Sequence, residues 1–182
     1  MTRVRESLGL MGLCSVAIAG GVHAQHVRLG LGAGATVPTG DYADADQAGW
    51  HVLGKLDLAI PRSPIGLRID GFYGRSSHRS GVDGTATLTG GLADIVWHVP
   101  VGVPIVKPYL LAGGGVYRVE SSIPSVSFST SQTKFTLAGG VGVSFEAGPM
   151  RPFVEGRYVS VRASSGSTSF VPVTAGITVG AK

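Results

Sequence analysis

Between Ile65 and Tyr73 the chain reads I-G-L-R-I-D-G-F-Y, and no other stretch constrains the fold as tightly. Ile65, Leu67, Ile69 and Tyr73 share one parity while Arg68 and Asp70 hold the other, so a strand here is apolar on one face and doubly charged on the opposite one. Such a strand has two unlike neighbours. Its apolar face meets either a protein core or a lipid bilayer, and the rest of the chain decides which.

Composition narrows the choice. Charged residues make up only 14% of the 182 positions and mean hydropathy is +0.29, whereas ordinary soluble domains carry roughly 25% charged residues. Yet beyond residue 24 no run approaches the ~18 uncharged apolar residues of a membrane-spanning helix. The first 24 residues read as a secretory leader: Arg3 and Arg5 form a basic head, Leu8 to Ala19 an apolar segment, and Val22-His23-Ala24 a small-x-small cleavage site. The chain therefore divides into a leader, 1–24, and one domain, 25–182. Its single cysteine, Cys14, lies in the leader, which leaves the domain without a thiol for a disulfide, metal or nucleophile. Without Arg3, Arg5 and Glu6 the net charge is +3, too mild and dispersed to suggest a nucleic-acid partner.

From Gln25 onward the two-residue period predicts about eight strands, each close to the ~9 to 11 residues that cross a bilayer at a tilt. The first, His26 to Val37, sets Val27, Leu29, Leu31, Ala33, Ala35 and Val37 against His26, Arg28 and a series of glycines. In the second, Trp50, Val52, Leu56, Leu58 and Ile60 oppose His51, Lys55 and Asp57. The fourth opposes Ala93, Ile95, Trp97 and Val99 to Asp94 and His98, and the fifth Tyr109, Leu111, Tyr117 and Val119 to Arg118. In the sixth, Phe135, Leu137, Val141, Val143 and Phe145 oppose Lys134, Thr136 and Ser144. Val154 and Tyr158 oppose Glu155 and Arg157 in the seventh, and Val171 to Val179 complete the eighth.

Three regularities favour lipid. The predicted links alternate between long polar ones (38–47, 76–84, 120–132, 162–168) and short turns (61–64, 100–104, 146–150), as external loops and periplasmic turns do in outer-membrane barrels. Ten charges of the spans, Arg28, Lys55, Asp57, Arg68, Asp70, Asp94, Arg118, Lys134, Glu155 and Arg157, are assigned to the polar parity. Lipid would enforce that, since Arg or Lys facing the midplane costs roughly 2–4 kcal/mol. Aromatics of the apolar parity collect near strand ends, Trp50, Tyr73, Tyr117 and Phe135 toward the long loops and Trp97, Tyr109 and Phe145 toward the short turns, forming two interfacial girdles. A soluble sandwich also alternates. It has no reason to order its links or pair its girdles. Eight strands enclose little more than side-chain volume, so the ten charges are expected to pack together as a polar plug.

Three short motifs, Val37-Pro38-Thr39-Gly40-Asp41-Tyr42, Lys107-Pro108-Tyr109-Leu110-Leu111-Ala112-Gly113-Gly114-Gly115 and Arg151-Pro152-Phe153-Val154-Glu155-Gly156-Arg157-Tyr158, resemble the outer-membrane β-barrel family, the OmpA/OmpX-like small barrels. The resemblance covers Gln25 to the C-terminus. It implies an all-β, eight-stranded antiparallel up-and-down transmembrane barrel in the cell outer membrane, with both termini periplasmic. Its implied partners are outer-membrane lipids including lipopolysaccharide, periplasmic chaperones and the barrel-assembly machinery, and its implied state a monomer. One departure is the ending Val179-Gly180-Ala181-Lys182, where such barrels usually end in an aromatic residue.

Candidate chemistry is sparse. Gly30-x-Gly32-x-Gly34 alternates as strand glycine with no helix after it, unlike a phosphate cradle. Asp41, Asp44 and Asp46 offer too few oxygens to define a Ca²⁺ site. A lipid A hydrolase would need a His, Ser and acid triad, yet the segment around Ser160 lacks the histidine of the barrel deacylases and His78 has no evident partner. His26, His51 and His98 share the interior parity. The expectation is thus a non-enzymatic outer-membrane barrel with no cofactor, metal or catalytic residue, acting structurally or through its external loops. The alternatives are a lipid A-modifying hydrolase and a narrow pore.

Overall fold

The structure is a computed structural model that describes residues 26–39, 47–77, 85–123, 128–163 and 166–180. Residues 1–24, the acidic trio Asp41, Asp44 and Asp46, and His78 lie outside the described residues. Eight strands follow one another: β1 (His26–Thr39), β2 (Gly49–Ala59), β3 (Ile65–Ser77), β4 (Thr85–His98), β5 (Val106–Ile123), β6 (Phe128–Phe145), β7 (Met150–Ala163) and β8 (Gly166–Val179). Each pairs antiparallel with the next, and β8 returns to β1 to close the barrel. Closure satisfies the backbone of every strand through the shared wall, the one way a sheet can stand in lipid without a bare edge.

The alternation read from the sequence holds on seven strands. Leu29, Leu31, Ile69, Ile95, Val141, Tyr158 and Ile177 stand outward, while the interior parity of β3 buries Arg68, Asp70 and Phe72. On β5 it is inverted. Tyr109, Leu111 and Tyr117 point inward, Tyr109 at 2% and Tyr117 at 1% exposure, and Leu110, Val116 and Arg118 point outward. Both parities of this strand are apolar around Gly113, Gly114 and Gly115, so its face was assigned from Arg118, while Lys107, which shares the parity of Tyr109, points the other way; Arg118 lies beyond the apolar band, where its outward side chain pairs with Glu120 at 2.8 Å. Tyr109 and Tyr117 therefore leave the girdles, and Arg118 leaves the plug. Trp50, Tyr73, Trp97, Phe135 and Phe145 remain on the outer face, with Trp50 and Tyr73 packed 5.9 Å apart.

The long links also contract. β5 runs to Ile123 and β6 resumes at Phe128, and β7 runs to Ala163 with β8 resuming at Gly166, so much of the expected third and fourth loops is strand. With water on both sides of a hairpin, polar residues occupy both parities, and the two-residue hydrophobic period that marks a wall strand disappears. At the end carrying the chain termini the turns are tight. Arg62 and Gly148 adopt positive φ there, 62° and 67°, a conformation glycine takes without strain.

Candidate functional site

The inward parities of neighbouring strands meet in register. Arg28 is paired with Asp57, Asp57 with Arg68, and Arg68 with Asp94, which lays alternating charges side by side across β1 to β4. From this row and from β7 a buried network assembles. Glu155 accepts from Arg68 Nη1 at 2.8 Å and from the Tyr109 hydroxyl at 2.7 Å. Arg157 donates from Nε to Glu155 Oε1 at 2.9 Å and from Nη1 to Asp94 Oδ2 at 3.0 Å, and its Nη2 meets Asp70 Oδ2 at 2.5 Å. Arg68 Nε donates to Asp57 at 2.5 Å. Lys55 stands 3.9 Å from Glu155 and lies over the Phe153 ring, 3.2 Å from its centroid. Such a network is tolerable away from water only because each charge has an opposite neighbour.

The structure thus brings together Lys55, Asp57, Arg68, Asp70, Asp94, Glu155 and Arg157 of the ten expected charges. Arg28 lines the lumen nearer the end with the termini, and Lys134 has the inner parity of β6 near the opposite end. Arg118 stands outside.

Toward the end opposite the termini the lumen is apolar, which the expectation of a wholly polar filling missed. Phe72, Tyr117 and Phe170 form an aromatic cluster, Tyr117 contacting the other two edge-on at 5.4 and 5.9 Å, surrounded by Leu53, Leu88, Leu92, Val159 and Val161. His51 stacks on Phe72 at 5.0 Å and is held by the Thr36 and Thr174 hydroxyls, 2.9 and 2.8 Å from its ring nitrogens. The signal was present, because Phe72 shares the parity of Arg68 and Asp70, and Leu88 and Leu92 that of Asp94. Among the described residues, one lumenal cavity of about 10 Å³ lies beside Phe72 and Phe170 and another of about 40 Å³ between Arg28, His98 and Arg151.

Above the aromatic cluster one hairpin outgrows the wall. β5 and β6 remain paired up to Ile123 and Phe128, and β4 accompanies β5 as far as Ser122. β7 pairs with β6 only from Thr136 to Ser144. Among the described residues, the segment Phe128–Phe135 of β6 is therefore bonded to β5 on one side and to no strand on the other, an edge of roughly 26 Å at ~3.3 Å per residue. On the outer wall below, Arg75 is paired across from Trp50, and exposed Arg118 lies on β5.

Ser160 lies on the outer face of β7, whereas His51 and His98 have the inner parity, so neither stands on the wall face that carries Ser160.

Residues 7–179 match the family described as the outer membrane protein beta-barrel domain. No curated protein matches the sequence. In fold the chain is similar to Neisserial surface protein A, with 19% identity and a TM-score of 0.64 over 84% of this chain and 96% of that one. It is also similar to Ail, the attachment invasion locus protein of Yersinia pestis, with 18% identity and a TM-score of 0.57 over 86% and 99%. A major outer membrane protein from Thermus thermophilus aligns at 13% identity and a TM-score of 0.53, covering 87% and 100%. At these identities the likeness is one of fold.

Proposed function

The chain belongs to the outer membrane protein β-barrel family and resides in the outer membrane, and from that premise we propose that it is a non-enzymatic, monomeric anchor presenting a raised hairpin for surface interaction. In this reading residues 1–24 are a removed leader, and chaperones and the barrel-assembly machinery deliver the unfolded chain. The turns and termini face the periplasm and the hairpin faces outward. Lipopolysaccharide is the surrounding partner: Arg75 and Arg118 stand on the outer wall at the level of Trp50 and Tyr73 or above it, where lipid phosphates gather.

The observation that carries the proposal is the free edge of β6 from Phe128 to Phe135. Unpaired N–H and C=O groups along a strand edge are a template for an extended segment of another protein, which adds as a further strand. The lumen supports the anchor reading over a pore, because aromatic and charged layers fill its cross-section. The separation of Ser160 from His51 and His98 supports it over a hydrolase.

The test uses cells displaying the wild type and a variant with Ser129, Ser131 and Thr133 all changed to proline, which removes edge donors. Adherence to a panel of immobilised matrix and serum proteins is compared, after checking that both unboiled samples run as folded barrels. Retention of at least one protein by the wild type and its loss in the variant is the expected result. Equal retention by both would sink the edge as the binding element, and altered lipid A acylation in Ser160→Ala would restore the enzyme reading.

A further inference from the structure

We propose that the mouth of the lumen at the end carrying the termini is a binding site for a small soluble oxyanion, a phosphate or carboxylate group clamped between Arg28 and Arg151.

The placement follows from the register. Thr178 on β8 pairs with Gly30 of β1 on one side and with Arg151 of β7 on the other. Arg28, two residues before Gly30, and Arg151 thus flank β8 on the inner wall. Gly180, the inner position of β8 beside Arg28, contributes no side chain, and a Cβ there would come within 2.6 Å of Arg28 Cγ. Both arginines line a cavity of about 40 Å³. That is room for a few water molecules or one tetrahedral oxyanion.

Charge around the cavity is unbalanced. Arg28, Lys55, Arg68 and Arg151 line it, and Asp57 is the one carboxylate among the described lining residues. Asp57 is held by Arg68 Nε at 2.5 Å, and Lys55 and Arg68 are turned toward Glu155 one layer deeper. Arg151 pairs with Glu146 at 2.7 Å through Nη2, leaving its other N–H groups. Arg28 has no carboxylate at ion-pair distance among the described residues, so one positive charge is left over at a cavity that both arginines line. Guanidinium pairs suit bidentate binding of phosphate and carboxylate, and the Thr178 hydroxyl in the same wall supplies a further donor. A lipid headgroup is the poorer occupant, because both arginines have the inner parity while acyl chains lie outside the wall. The site thus selects a freely diffusing anion from the solution bathing that mouth.

The test is calorimetric titration of inorganic phosphate into the protein purified from outer membranes in non-ionic detergent at low ionic strength. Saturable binding at one site is expected. Arg28→Gln and Arg151→Gln should each weaken it by about tenfold or more, the effect of losing a charged hydrogen-bond donor pair. Arg62→Gln, on an exposed turn at the same end, should leave it unchanged. Absence of saturable binding overturns the proposal, as does a wild-type affinity in Arg28→Gln or an equal loss in Arg62→Gln. If Arg28→Gln fails to give the folded unboiled band, Arg28→Lys replaces it. That variant keeps the charge without the fork, so a severalfold loss supports the clamp and undiminished affinity refutes it.

Discussion

Replacing Arg157 with methionine probes what holds the lumen together. Its side chain is 3% exposed, so its contacts are not weakened by water, and it reaches three carboxylates. Glu155 survives the loss best, since Arg68 at 2.8 Å and the Tyr109 hydroxyl at 2.7 Å remain. Asp70 and Asp94 have Arg157 as their one cation at ion-pair distance among the described residues, and both are buried. Each orphaned carboxylate costs about 1–3 kcal/mol or more, and removing one member of a buried ion pair typically costs 3–5 kcal/mol. We expect Arg157→Met to lose about 3–5 kcal/mol. At a urea slope of about 2 kcal/mol per M this lowers the unfolding midpoint by roughly 1.5–2.5 M. The assay is urea unfolding in phospholipid vesicles, followed by the fluorescence of Trp50 and Trp97, which face outward and so report the wall without touching the network. Adding Asp70→Asn and Asp94→Asn removes the unpaired charges and should recover at least half of the loss. A single variant with its midpoint within about 0.3 M of the wild type, or a triple variant no more stable than the single one, would refute the electrostatic reasoning.

Phe170→Ala, at a fully buried position between Phe72 and Tyr117, should cost about 3–5 kcal/mol by cavity formation in the same unfolding assay. Arg118→Ala should cost roughly 0–1 kcal/mol, because its pair with Glu120 is half-exposed, and a larger loss would place it back inside the lumen. Gly90→Val should unseat Tyr117, since a Cβ at residue 90 would lie 2.7 Å from the ring atoms Cγ and Cδ1; the check is loss of the folded unboiled gel band and of near-ultraviolet tyrosine dichroism.

Much of the site was legible before the structure. Arg68 and Asp70 beside Ile65, Leu67 and Ile69 were enough to assign the inner wall of β3, and the same period placed Lys55, Asp94, Glu155 and Arg157 on the lumenal face. It failed on β5, where three consecutive glycines and flanking Leu110, Leu111 and Ala112 leave both faces equally apolar. There the partners decide. Tyr109 turns inward because its hydroxyl finds Glu155 on β7, and Tyr117 because Phe72 and Phe170 leave an aromatic slot into which side-chain-free Gly90 admits it.

By itself, then, the order of residues determined the number of strands and, on all but β5, the separation of apolar from charged faces, since a two-residue period is a local property that lipid on one side imposes along each strand. The tertiary structure decided which charges meet, that an aromatic layer closes the lumen, and that β6 rises past β7 with a bare edge. Those outcomes depend on register, the relative sliding of neighbouring strands. Register is settled only when β8 closes on β1 and inward side chains far apart in sequence compete for the same small interior volume.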